Sequence, residues 1–176
     1  IRNKKSHKND LKKNNYEEID LVVVNFYPFE NVLKSTNNHK KIIENIDIGG
    51  PTMVRAAAKN YNDVAVITNY NQYKELSNEL NLNKSCTTLD FRKRMSIAAF
   101  SETAYYDAII SNYFNSQSKV LFPKKKIFYG NLIENLRYGE NPHQNAAVYS
   151  INEKLNLIRL NGKKLSYNNY NDIFSA

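Results

Sequence analysis

The chain has 176 residues, 41% of them hydrophobic, and 25 lysines and arginines against 17 acidic residues give it a net charge of +8. That content buries the core of one domain, or of one domain with part of another; a single cysteine, Cys86, excludes an intrachain disulfide and a cysteine-built zinc cluster, and no apolar run reaches the roughly 20 residues of a membrane-spanning helix. Many lysines gather in two runs, Lys4 to Lys13 and Lys124 to Lys126, unaccompanied by a zinc finger, RNA-binding motif or basic zipper, so small anions rather than nucleic acid are the expected partners.

A soluble protein of a reducing cytoplasm is the expectation. Both ends are expected to be cut, because the chain opens on Ile1 and stops at Ala176 just as Tyr170 to Ala176 enters a helical pattern. Ile1 to Glu18 is polar, with at most a weak helix over Asp10 to Tyr16. Ile19 to Tyr27 then reads as a strand buried on both faces of a parallel sheet, since consecutive β-branched residues run up to Pro28. Its carboxyl end presents Asn25 and Tyr27, where open α/β sheets bind ligands. His39 to Ile46 predicts a helix, Asp63 to Thr68 a second buried strand, and Asn71 to Leu80 a surface helix. This alternation is α/β. Thr87 with Asp90 reads as a cap for the longest helix, continuing to about Phe114, whose broad apolar face belongs to the core or to a subunit interface. Asn115 to Lys126 lacks periodicity and is the expected linker. Ile127 to Arg137, Ala146 to Ile151 and Leu155 to Leu160 have strand character.

The richest chemistry lies in Glu44 to Asn60. Asp47 precedes Gly49-Gly50-Pro51, and the break opens a small-residue helix in which Arg55 and Lys59 share a face by their i,i+4 spacing. Glycines let backbone approach a ligand closely, and Pro51 suits the first helical turn, where its missing N–H costs nothing. The acid and the bases are expected to converge. Each residue alone has a plainer reading: Asp47 as a helix cap, Lys59 as a cation at a helix end, Tyr27 as a half-buried sheet-edge tyrosine. Together with Asn25 they describe a polar pocket. A second constellation is Leu136 to Gln144, in which Arg137 offers a planar fork for phosphate or carboxylate, Tyr138 a stacking face, and Gly139 and Pro142 a turn presenting His143. Tyr167-Asn168-Asn169 is a third polar turn, readable as an Asx-rich helix entry.

Five segments occur in one order: Asp20 to Glu30, Glu44 to Asn60, Ala99 to Asp107, Arg137 to Gln144 and Gly162 to Asn169. In that order the chain, from Asp20 onward, resembles the bifunctional purine-biosynthesis family that joins phosphoribosylaminoimidazolecarboxamide formyltransferase to IMP cyclohydrolase. Phe26 stands where leucine is usual. The resemblance implies a methylglyoxal-synthase-like parallel-sheet domain lacking its opening part, followed by the start of an α/β transformylase domain. The implied boundaries are 1–118 for the cyclohydrolase part, 119–126 for the linker and 127–176 for the transformylase start. It further implies Tyr27, Asp47 and Lys59 as catalytic residues, with Asp47 and Lys59 a proton-transfer pair, and Asn25, Ile48 and Gly49 as contacts to the base. Arg137, Tyr138 and, in support, His143 would bind the ribotide. The implied ligands are IMP and the formylated and unformylated aminoimidazolecarboxamide ribotides, with 10-formyltetrahydrofolate as cosubstrate, no covalently bound cofactor and no metal. A cytoplasmic homodimer is implied as well. Nothing in Ile1 to Glu18 matches the family's phosphate-binding loops, and its transformylase lysine-histidine pair lies beyond Ala176, so activity of this chain alone is not expected. The competing reading is a non-catalytic α/β module that binds a nucleotide or a protein.

Overall fold

A computed structural model describes residues 4–118, 120–151, 155 and 157–176. The chain divides into two units, Ile1–Phe114 and Asn115–Ala176. In the first unit α1 (Lys5–Lys13) precedes β1 (Leu21–Val23), α2 (Phe29–Ser35), α3 (His39–Glu44), α4 (Gly49–Lys59) and β2 (Ala65–Ile67). A 3-10 turn at Tyr70–Gln72, α5 (Tyr73–Leu82) and α6 (Leu89–Gln117) follow.

β1 and β2 pair in parallel, Leu21 opposite Ala65 and Val23 opposite Ile67. Such a pair needs a long crossover, which α2 to α4 supply. β2 is fully buried and forms the centre of a core with Val54, Ala57 and Ala58 of α4 and Phe91, Met95 and Ala99 of α6. The two buried alanines leave room for α6 to lie against α4, and the Ser96 hydroxyl donates to the Ala58 carbonyl at 2.8 Å, satisfying a buried polar group at that contact.

Three expectations need correction in this unit. β1 is shorter than Ile19 to Tyr27 and is not buried on both faces: Val22 and Val24 pack on the core, while Leu21 and Val23 remain 38% and 45% exposed. The cap of α6 sits one residue later than Thr87, because the Thr88 hydroxyl accepts the Phe91 N–H at 3.2 Å. Thr87 instead receives the Arg92 guanidinium. The buried face of α6 is also not purely apolar as expected, for it includes Ser96, Thr103 and Tyr106, whereas Ile97 is 69% exposed.

In the second unit β3 (Asn131–Asn135) and β4 (Ala147–Ser150) form an antiparallel pair with an irregularity between Leu132 and Glu134, and α7 (Tyr167–Ser175) follows. Ser166 and Asn169 close a reciprocal capping box at the start of α7. The Tyr170 phenol donates to the Glu134 carboxylate of β3; burial and then this hydrogen bond push its pKa up to about 12. Residues 155 and 157–160 form no strand, contrary to expectation, and Ile158 and Leu160 stay exposed. Residue 156 of that expected strand, residue 119 of the expected linker and residues 1–3 of the polar opening lie outside the described residues.

Candidate functional site

The carboxyl end of β1 and the amino end of α4 meet at Asp47. α3 ends at Glu44, and Asn45 to Ile48 are all that separate it from α4. Within that link the Asp47 side chain turns forward and caps α4: Oδ1 accepts the Gly50 N–H at 2.8 Å. Oδ2 accepts the Tyr27 N–H from the strand end at 3.4 Å. A carboxylate there is favoured by the positive end of the helix dipole. Gly50 is required by this arrangement, because a Cβ added to it would lie 2.4 Å from Oδ2 and 2.9 Å from Cγ of Asp47.

Beneath the carboxylate lies Tyr106 of α6, only 6% exposed. Its hydroxyl accepts the Asp47 N–H at 2.9 Å and donates to the Asn45 carbonyl at 3.4 Å. Its ring packs against Phe26, centroids 5.1 Å apart, and Phe29 at 6.1 Å. Burial raises the phenol above its ordinary pKa, and the charges of Asp47 and Asp107 add to the rise against the opposing Asp47 N–H bond. The hydroxyl is therefore held protonated.

The rim around Asp47 is open. Tyr27 is 57% exposed and Ile48 73% exposed. Nothing stands within 4 Å of where a Gly49 Cβ would be. The Asn25 amide donates to the Tyr73 hydroxyl at 2.8 Å, which fixes its orientation. The Tyr27 backbone, two residues after Asn25, is thus tied to the Asp47 carboxylate at an exposed end of the first unit.

The expected convergence of Asp47 with Arg55 and Lys59 does not form. Lys59 ends the 11-residue α4, so a rise of about 1.5 Å per residue puts roughly 15 Å of helix between Gly49 and Lys59. Lys59 lines a separate, mainly apolar groove of about 520 Å³ with His7, Ile19, Val22, Met53 and Ala56, while the Arg55 guanidinium lies 5.6 Å above the Phe100 ring. Equal spacing on a helix gave the two cations one face but carried them both away from the amino end.

In the second unit the Arg137 to Gln144 segment folds onto the start of α7. The Arg137 N–H donates to the Leu165 carbonyl at 3.0 Å and the Tyr167 N–H to the Tyr138 carbonyl at 3.1 Å. Asn168 holds the Glu140 carbonyl at 3.2 Å. The turn is closed by Gly139 N–H on the Gln144 carbonyl at 2.7 Å, and a Cβ on Gly139 would stand 2.9 Å from Gln144 Cβ. The Arg137 guanidinium stacks 4.9 Å above the Tyr138 ring and donates to the Tyr138 hydroxyl at 3.3 Å, and the residue stays exposed. His143 is exposed on the same turn.

Two residues were not singled out from the sequence. Tyr106 lies in the Ala99 to Asp107 segment without a role of its own there; the signal that could mark it is that a buried tyrosine needs a partner for its hydroxyl. Tyr73 carries no sequence signal of its own; only the fold brings it to Asn25. Among the described residues no group of three or more metal-ligating side chains forms, and no helix is long and apolar enough to cross a membrane.

The family model described as AICARFT/IMPCHase bienzyme matches residues 57–176. A bifunctional purine biosynthesis protein PurH from Bradyrhizobium diazoefficiens is 48% identical over the whole of this chain, which spans 34% of that protein. The PurH proteins of Rhizobium rhizogenes and Bartonella tribocorum are each 45% identical over the whole chain, which covers 34% and 33% of them. The chain therefore spans about a third of the length of the curated relatives it matches, and the similarity includes the residues before Asp20. The structure is similar to the crystal structure of ForH, with a TM-score of 0.53 at 25% identity, covering 64% of this chain and 59% of that one.

Proposed function

The chain belongs to the AICARFT/IMPCHase bienzyme family, and from that membership we propose that it serves the last two steps of IMP synthesis. In the first, 10-formyltetrahydrofolate gives its formyl group to the aminoimidazolecarboxamide ribotide. In the second, the formylated ribotide closes to IMP. Residues 1–118 belong to ring closure and have the methylglyoxal-synthase-like fold, residues 119–126 form the linker, and residues 127–176 open the transformylase domain. The protein acts in the cytoplasm as a homodimer.

The observation that carries the ring-closure reading is the Asp47 carboxylate bound by N–H groups of two separate elements at an open rim. Closure forms a bond from the carboxamide nitrogen to the formyl carbon. The nitrogen loses a proton and the formyl oxygen gains one; that hydroxyl then leaves as water while a ring nitrogen gives up a second proton. Each transfer needs a positioned group. Asp47 and Tyr27 stand together for this work, and Asn25, Ile48 and Gly49 contact the base. Lys59, at the far end of α4, acts on a different part of the ligand rather than as a hydrogen-bonded partner of Asp47. No direct Asp47–Lys59 proton transfer is part of this reading.

For the second unit, Arg137 and Tyr138 grip the ribotide, with His143 in support. The test uses a chimera in which residues 1–176 replace the matching third of the relative that is 48% identical. Arg137→Ala is expected to weaken ribotide binding about ten- to a hundredfold, the worth of a charge-assisted hydrogen bond, while ring closure of supplied formylated ribotide keeps its rate. Unchanged ribotide affinity, read by titration calorimetry, refutes the assignment.

A further inference from the structure

We propose that Tyr106 is a positioning residue for ring closure, holding the backbone of Asp47 so that the carboxylate stays seated between Tyr27 and the start of α4. The inference rests on the reading of Asp47 as a proton-transfer group. Its ground is geometric. The Asn45 to Ile48 link joins two helices without regular structure of its own, and what fixes it from below is one side chain 59 positions later in the chain, whose hydroxyl takes the Asp47 N–H at 2.9 Å and gives its proton to Asn45 at 3.4 Å. The same ring is wedged against Phe26 at 5.1 Å and Phe29 at 6.1 Å, residues that flank Tyr27 and lead from the strand end into α2. Tyr106 thus ties together the two segments whose N–H groups bind the Asp47 carboxylate or present it. Phe26 takes part directly, giving the ring an aromatic neighbour.

The hydroxyl contributes in two directions at once. It accepts from Asp47 and donates to Asn45, a pair of bonds that phenylalanine cannot make and that water reaches poorly beside a side chain only 6% exposed. Without it the link loses the two bonds that tie Asn45 and Asp47 to α6, and the seat of Asp47 beside the Gly50 N–H loosens. Burial keeps the phenol protonated, so the arrangement holds across ordinary pH.

Tyr106→Phe preserves the ring contacts and removes only the hydroxyl. In the chimera this variant is expected to lower kcat for ring closure about tenfold, with KM changed less than about twofold and formyl transfer unaffected. The loss should disappear in the Asp47→Asn background, because the hydroxyl acts only through that residue. Phe91→Leu, in the core and away from Tyr106, is the packing control: it is expected to lower the melting temperature and leave kcat in place. Additive losses in the double variant, or an equal fall in kcat for Phe91→Leu, overturn the proposal while leaving Asp47 in its role. Full ring-closure rate in Asp47→Asn alone overturns the underlying reading of the site instead.

Discussion

Asparagine in place of Asp47 is expected to slow ring closure by about 10²- to 10⁴-fold, the range that a positioned proton-transfer group supplies. The substitution is nearly isosteric, and the asparagine carbonyl still accepts the Gly50 N–H that Asp47 Oδ1 receives at 2.8 Å. The fold around α4 should therefore survive, since asparagine is as good an N-terminal cap as aspartate. What is lost is the negative charge and the ability to take a proton. Single-turnover conversion of formylated ribotide, followed in the chimera, measures this directly. If the asparagine variant closes the ring at the parent rate, Asp47 is a cap and nothing more.

The second large effect concerns stability. Phe91→Ala is expected to cost about 3–5 kcal/mol, because the side chain is completely buried and truncation leaves a cavity that the surroundings only partly fill. Phe91 lies in the cluster that joins β2, α4 and α6, so the cavity would open where these three elements meet. Against a typical total stability of about 5–15 kcal/mol, such a loss leaves a large unfolded population. Urea unfolding of the 176-residue chain, read by circular dichroism, should show the midpoint falling with the slope kept. A loss under about 1 kcal/mol would mean that Phe91 packs less tightly than its burial implies.

Much of this was legible in the sequence, for identifiable reasons. β2 was readable because Val64 to Ile67 is apolar without interruption and is in fact fully buried. The α/β alternation followed from the spacing of two such runs with helical patterns between them. β1 was over-read: its β-branched run states that the residues suit a strand, but only the neighbours decide whether Leu21 and Val23 are covered. The cap of α6 was misplaced by one residue because Thr87 and Thr88 are equivalent as donors and acceptors, and the choice is made by how Arg92 reaches Thr87. In the site, the glycine pair was visible but its purpose was not. That Gly50 yields its Cβ space to the Asp47 carboxylate, rather than to a ligand, depends on the link folding back over the helix start. The separation of Lys59 from Asp47 was implicit in the helix rise across 11 residues. Tyr106 stayed hidden among apolar neighbours until the fold brought α6 beneath Asn45 and Asp47.

Gly50→Ala tests the central claim most directly, because it leaves the Asp47 carboxylate chemically intact and only removes the space it occupies beside the α4 start. With ring closure and formyl transfer measured side by side in the chimera, closure is expected to fall at least about tenfold while transfer keeps its rate, since the displaced carboxylate loses its position and the second unit is untouched. Ring closure at the parent rate, with alanine confirmed at position 50, would contradict the assignment of that carboxylate to the reaction.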